Sequence, residues 1–305
     1  MQHITQYKIC LNLFSFLAIL PSISQAEILP EAEVGIKIAL ATKPTTRPMT
    51  VAYIPSFKKY YIADGGLAPM GSEFEAPISK SQVHTYDESG KYISSAKPGY
   101  DNRSIYFNSN NNTLETVTYN VSSDVGFSPN TGIYSLDLSE TGEVKNTSKE
   151  VAQYNRAFGH SGTTPSYDAA NKRYFAKQGR SNLVYVVDPN KEERLGEIAL
   201  DLTAANVAFD DISDLFIAYT GIPGEELLAL DIDHKAVLAF NLQGKYIGKS
   251  ELPKTLKLRA NNHYTGLGYS NGMFFVYHEP EGEFGTYYGF HVQKDSSGLQ
   301  AKNNH

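Results

Sequence analysis

The stretch VHTYDESGKYI, Val83–Ile93, is written a second time as VLAFNLQGKYI, Val237–Ile247. Both copies open on Val, carry an aromatic fourth, follow it with Asp or Asn, and close on Gly-Lys-Tyr-Ile. A chain that repeats a strand-and-turn phrase must repeat the structural unit that the phrase builds, so internal periodicity constrains the fold before any other property does. The phrase recurs as VHTYD ending at Asp87, IYSLD at Asp137, VYVVD at Asp188, VLAFN at Asn241 and, more loosely, YYGFH at His291, at intervals of 50, 51, 53 and 50 residues.

Each copy follows a strand–turn–strand element. These elements are VAYIPSFKKYYIAD from Val51, SIYFNSNNNTLETVTY from Ser104, PSYDAANKRYFAK from Pro165, VAFDDISDLFIAY from Val207 and GLGYSNGMFFVYH from Gly266. Residues alternate with a period of two, as strands require, and the turns carry Asn-Gly, Ser-Gly, Thr-Gly or Gln-Gly, which accept the positive φ of tight hairpins. Four antiparallel strands repeating at about 50 residues describe an all-β propeller of four-stranded blades. Five units fall between Val51 and Val292, and two Asp- or Asn-ended patterns, at Asp231 and Asn241, leave a sixth blade open. EVGIKIAL, Glu33–Leu40, is a further strand that could pair with the last blade and close the ring. The recurring Asp87, Asp137, Asp188 and Asn241 read as turn caps, since a catalytic acid needs only one or two copies.

ALDIDHKAVLAFNLQGKYI and YYIADGG…VHTYDESGKYI resemble the NHL-type and gluconolactonase-like propeller superfamily, in which an aliphatic strand ending in Ala-Asp or Val-Asp precedes an aliphatic-aromatic strand, Asp, a polar turn, and Gly-Lys. The resemblance covers these two blades well and the others poorly. It implies the fold; members include metal-dependent sugar lactonases, lyases and pure binding proteins.

The N-terminus reads as an export signal. Lys8 precedes the apolar run Ile9–Leu20, Pro21 breaks it, and Ser24-Gln25-Ala26 places small residues at the cleavage site. The run is too short to span a bilayer. Cys10 is the only cysteine and lies in that leader, so residues 27–305 offer no disulfide, thiol nucleophile or thiolate metal site. The expected organisation is a signal peptide over 1–26, an N-terminal segment over 27–50 with the ring-closing strand, the propeller over 51–295, and a disordered tail over 296–305. Location is expected to be periplasmic or secreted. A formal charge of −6 excludes the basic face that nucleic-acid binding needs.

In a propeller, the loops leading into the inner strands and those joining second to third strands converge on one face, where ligands usually bind. That approach face is expected to hold Arg47, Arg103, His160, Asn206, Asn262 and His263 as ligand-binding candidates. Asp64, Asp101, Glu73, Glu75, Glu225, Glu226, His278 and Glu279 would lie around them. No His-x-His, HExxH or EF-hand spacing occurs, so no metal ligand is assigned. Two functions stand. One is an exported binding protein that takes a small polar ligand or a protein partner on this face. The other is a metal-dependent hydrolase, lactonase or lyase with its site in the channel, where a divalent cation such as calcium would polarise the substrate. For that second reading no Glu matches the resembling family's pattern.

Overall fold

The computed structural model describes residues 27–41, 48–64, 81–99, 102–118, 132–153, 155–160, 162–258, 268–279 and 285–294. Strand β1 (Ile28–Ala39) comes first. Blade I is β2 (Pro48–Ile54), β3 (Lys59–Asp64), β4 (Gln82–Asp87) and β5 (Tyr92–Ala96). Blade II is β6 (Asn102–Asn108), β7 (Thr113–Thr118), β8 (Gly132–Leu138) and β9 (Val144–Gln153). Blade III is β10 (Ser166–Asp168), β11 (Arg173–Lys177), β12 (Leu183–Val187) and β13 (Gly196–Ala199), followed by a single helical turn, α1 (Leu202–Ala205). Blade IV is β14 (Ala218–Tyr219), β15 (Leu227–Asp231), β16 (Ala236–Phe240) and β17 (Tyr246–Glu251). Blade V takes β18 (Tyr269–Ser270), β19 (Met273–His278) and β20 (Thr286–Gln293) from the C-terminal part of the chain, and β1 lies antiparallel against β20 as its fourth strand.

Five four-stranded units account for the described strands. The pattern at Asp231, which left a sixth blade open, ends the second strand of blade IV, and the one at Asn241 follows its third. Blade IV also departs from its expected alignment. The inner strand is Ala218–Tyr219, not the Val207 segment, because residues 211–213 only bridge the end of β15 before the chain bulges and re-pairs at Ala218. The loop GIPGEE therefore joins first to second strand. Glu225 and Glu226 sit on the face opposite the one expected for them.

The core lies between blades rather than at one centre. Four apolar clusters fill the gaps: Met49, Tyr61 and Leu136 between blades I and II, Phe158, Tyr174 and Val187 between II and III, Phe175, Leu227 and Phe240 between III and IV, and a larger one around Phe274, Phe290 and Tyr60 that reaches from IV across V to I. Second and third strands are thus covered on both faces. All five residues of β15 and all five of β16 are buried, which is why these strands read as unbroken apolar runs rather than as alternation. The outer strands β5 and β17 keep an exposed face.

The repeated phrase is a hairpin device. Asp87 accepts the N–H groups of Ser89 and Lys91, each at 2.9 Å, and Asn241 accepts those of Gln243 and Lys245, each at 3.0 Å. Gly90 and Gly244 follow at φ 82° and 76°, a conformation that glycine adopts without steric cost. In blade II this place belongs to Ser139 rather than Asp137: Ser139 bonds Glu143 through backbone and side chain, while Asp137 accepts the Thr147 hydroxyl.

Ring closure is sealed by Glu225. Its carboxylate accepts the Ile28 N–H at 2.9 Å and the Gln293 amide at 2.9 Å, joining the start of β1 and the end of β20 to blade IV. Glu225 is 2% exposed. Glu225→Ala strands two buried donors and is expected to lower the unfolding free energy by about 3 kcal/mol, read as a lower urea midpoint at unchanged denaturant slope. Glu225→Gln is expected to lose about half as much.

Candidate functional site

Each inner strand runs from the approach face to the hairpin face and ends beside a first-to-second-strand turn. At that end each carries one tyrosine: Tyr53 on β2, Tyr106 on β6, Tyr167 on β10, Tyr219 on β14 and Tyr269 on β18. All five line one cavity of about 460 Å³, together with Phe107, Phe216, Ser166, Ser270 and the turn residues Ala169, Gly221 and Gly272. This is the central channel, open at the hairpin face. All five tyrosines are half-buried, whereas the adjacent strands hold Tyr60, Tyr61, Tyr86 and Tyr277 fully buried. The ring thus keeps aromatic surface for something other than the core.

Packing and hydrogen bonds hold the rings. Tyr53 lies 4.7 Å from Tyr60, Tyr167 lies 4.9 Å from Tyr106 and 4.8 Å from Tyr174, and Tyr219 stacks on Phe175 at 5.0 Å. The Tyr106 hydroxyl donates to Glu115 at 2.9 Å and also meets the Tyr174 hydroxyl. The carboxylate of Asp168 acts on the Tyr219 phenol and raises it. Asp168 in turn is fully buried and takes Arg173 Nε at 2.9 Å and the Asn171 amide at 2.8 Å. With its hydroxyl committed between blades, Tyr106 offers the channel its ring. Burial, reinforced by Glu88, raises the Tyr53 phenol, and burial with Asp168 pushes Tyr219 up to about 12. These rings are uncharged phenols at neutral pH.

On the approach face, three of the six candidates are among the described residues: Arg103, His160 and Asn206. Arg47, Asn262 and His263 lie outside the described residues, as do Asp101, Glu73 and Glu75. Arg103 is buried at the start of β6, where its carbonyl accepts the Thr50 hydroxyl at 3.3 Å. His160 is exposed before blade III, and its Nδ1 accepts the Gly162 N–H at 3.0 Å. That bond needs Nδ1 unprotonated, so the proton of the neutral ring is on Nε2. Asn206 caps α1 in the left-handed conformation, φ 56°, on the connection to blade IV. These three stand on three separate connections. Among the described residues, no group of three or more His, Asp or Glu could hold a metal ion.

The approach face does hold one unusual cation. Lys177 is fully buried at the end of β11, and its ammonium donates to the carbonyls of Gln178 at 3.0 Å and Asp214 at 3.2 Å and to that of Ser181. It ties the second-to-third-strand loop of blade III to the segment leading into blade IV. Burial lowers its pKa to about 8, against the pull of Asp214.

The five tyrosines carried a sequence signal. They stand at 53, 106, 167, 219 and 269, spaced 53, 61, 52 and 50, at the period of the blades.

No known family profile matches the chain, and no curated protein sequence matches it. Solved structures do. A glutaminyl cyclase of Myxococcus xanthus aligns at a TM-score of 0.52 and 9% identity over 86% of this chain and 97% of that one. A Bacteroides thetaiotaomicron protein of unknown function aligns at 0.45 and 8% identity over 87% and 75%. The Xanthomonas campestris gluconolactonase XC5397 aligns at 0.44 and 9% identity over 87% and 94%. At such identities the likeness is one of fold alone.

Lys177 gives a pH test of the approach face. The unfolded chain keeps the lysine proton up to about pH 10.5 while the folded chain releases it from about pH 8, so stability rises with pH between those values. Relative to Lys177→Met, the wild type is expected to gain about 2 kcal/mol between pH 7.5 and 9.5, measured as the difference in urea unfolding free energy at the two pH values.

Proposed function

We propose that this chain is an exported β-propeller that binds a small molecule and performs no chemistry on it. The observation that carries the reading is the ring of five half-buried tyrosines around a cavity of about 460 Å³. That volume is within the range of small-molecule sites, and the lining mixes the aromatic rings with polar groups of Ser104, Ser166, Ser270 and Asn271. Export is supported by the N-terminal apolar run and by the confinement of cysteine to it.

The ligand site of this reading is at the hairpin end of the channel, opposite the face expected from sequence. The support is that the hairpin end gathers five equivalent side chains in one cavity. Hydrolytic chemistry would require hard ligands or an acid–base pair converging on one channel point. The channel presents phenol rings there, with Asp168 already saturated by Arg173 and Asn171.

A thermal-shift screen of small amphipathic molecules against wild type and a Tyr53→Leu/Tyr269→Leu variant tests the proposal. A ligand present at a hundred times its Kd stabilises the wild type by about 2.7 kcal/mol, and the double variant is expected to lose most of that. Compounds that stabilise both proteins equally would place the ligand elsewhere.

A further inference from the structure

The geometry points to a small organic cation, an ammonium or guanidinium group on a compact apolar body, as the class of ligand that the tyrosine ring takes. This rests on the channel being the ligand site. Two observations carry it beyond that reading.

The first is the shape of the lining. Tyr53, Tyr106, Tyr167, Tyr219 and Tyr269 approach the cavity from all five blades. A cation in a cage of aromatic faces is attracted by the ring quadrupoles, most strongly where water is excluded. An anion would meet the same faces unfavourably.

The second is the charge behind the rings. Glu115 is buried behind Tyr106 and accepts from neutral donors, the Tyr106 hydroxyl at 2.9 Å, the Asn108 amide at 3.0 Å and the Thr113 hydroxyl at 2.8 Å. Glu88 acts on Tyr53, and Glu226 acts on Tyr219 from the adjoining turn. Asp168 and Glu88 are each paired with a cation, Arg173 at 2.9 Å and Lys58 at 3.6 Å, so the buried carboxylate of Glu115 carries the negative charge behind the rings.

Choline chloride and its neutral isostere 3,3-dimethylbutan-1-ol, titrated by calorimetry at low ionic strength, separate charge from shape. Choline is expected to bind saturably and at least tenfold more tightly than the alcohol. Tyr53→Phe keeps the aromatic face and is expected to hold choline affinity within about twofold, while Tyr53→Leu weakens it roughly tenfold. Glu115→Gln is expected to weaken choline and leave the alcohol unchanged, and its melting temperature shows whether the fold is intact. Choline binding no tighter than the alcohol, or equally tight to Tyr53→Leu, overturns the cation inference. If choline fails while other compounds still stabilise the wild type through Tyr53 and Tyr269, the channel remains the site and only the ligand class falls. If no compound depends on those tyrosines, the channel reading falls as well.

Discussion

Everything in this propeller depends on β1 lying beside β20. Blade V receives only three strands from the C-terminal part of the chain, and without a fourth the edge of β20 would present a row of unpaired backbone groups. Residues some 250 positions earlier in the chain fill that place, with Val34 opposite Phe290 and Ile38 opposite Tyr287. Ile38 then joins the apolar cluster that runs from blade IV through blade V to blade I, so the first described strand is part of the largest core. Glu225, by bonding both Ile28 and Gln293, fastens the start of β1 and the end of β20 to a blade that contains neither.

Closure sets the geometry of the channel. With five blades fixed in a ring, the inner strands are brought face to face and their last residues meet at the hairpin face. Blades III, IV and V have very short inner strands, of three, two and two residues, so the tyrosine is a large part of what each contributes there. The turn of blade V adds a tie: Asn271 donates to the Tyr60 hydroxyl at 2.6 Å, linking it to blade I beside Tyr53. The binding site proposed here is a consequence of the closed ring and not of any single blade.

How much of this was readable from the chain follows from what each feature depends on locally. The blade period and the Asx turns were legible because Asp87 and Asn241 bond backbone groups two and four residues away, which sequence spacing reports directly. Blade IV was misaligned because Leu215–Tyr219 reads as a full strand, when tertiary pairing lets only Ala218 and Tyr219 join β15. The tyrosine ring went unseen for a different reason. Tyr53 and Tyr60, or Tyr167 and Tyr174, are cross-strand neighbours of the same type, and nothing local separates a ring that faces the channel from one buried between blades. Arg103 and His160 stand out in the sequence for their charge and their loops, and the structure places Arg103 buried at the start of β6 and His160 exposed before blade III.

The most direct measurement is the ¹⁹F spectrum of the protein labelled throughout with 3-fluorotyrosine, with resonances assigned by Tyr→Phe substitution and followed during titration with choline. The account predicts that the signals of Tyr53, Tyr106, Tyr167, Tyr219 and Tyr269 move together along one saturation curve, while those of the fully buried Tyr61 and Tyr86 stay in place. Saturable shifts confined to tyrosines outside these five, or five signals following unrelated curves, would contradict it.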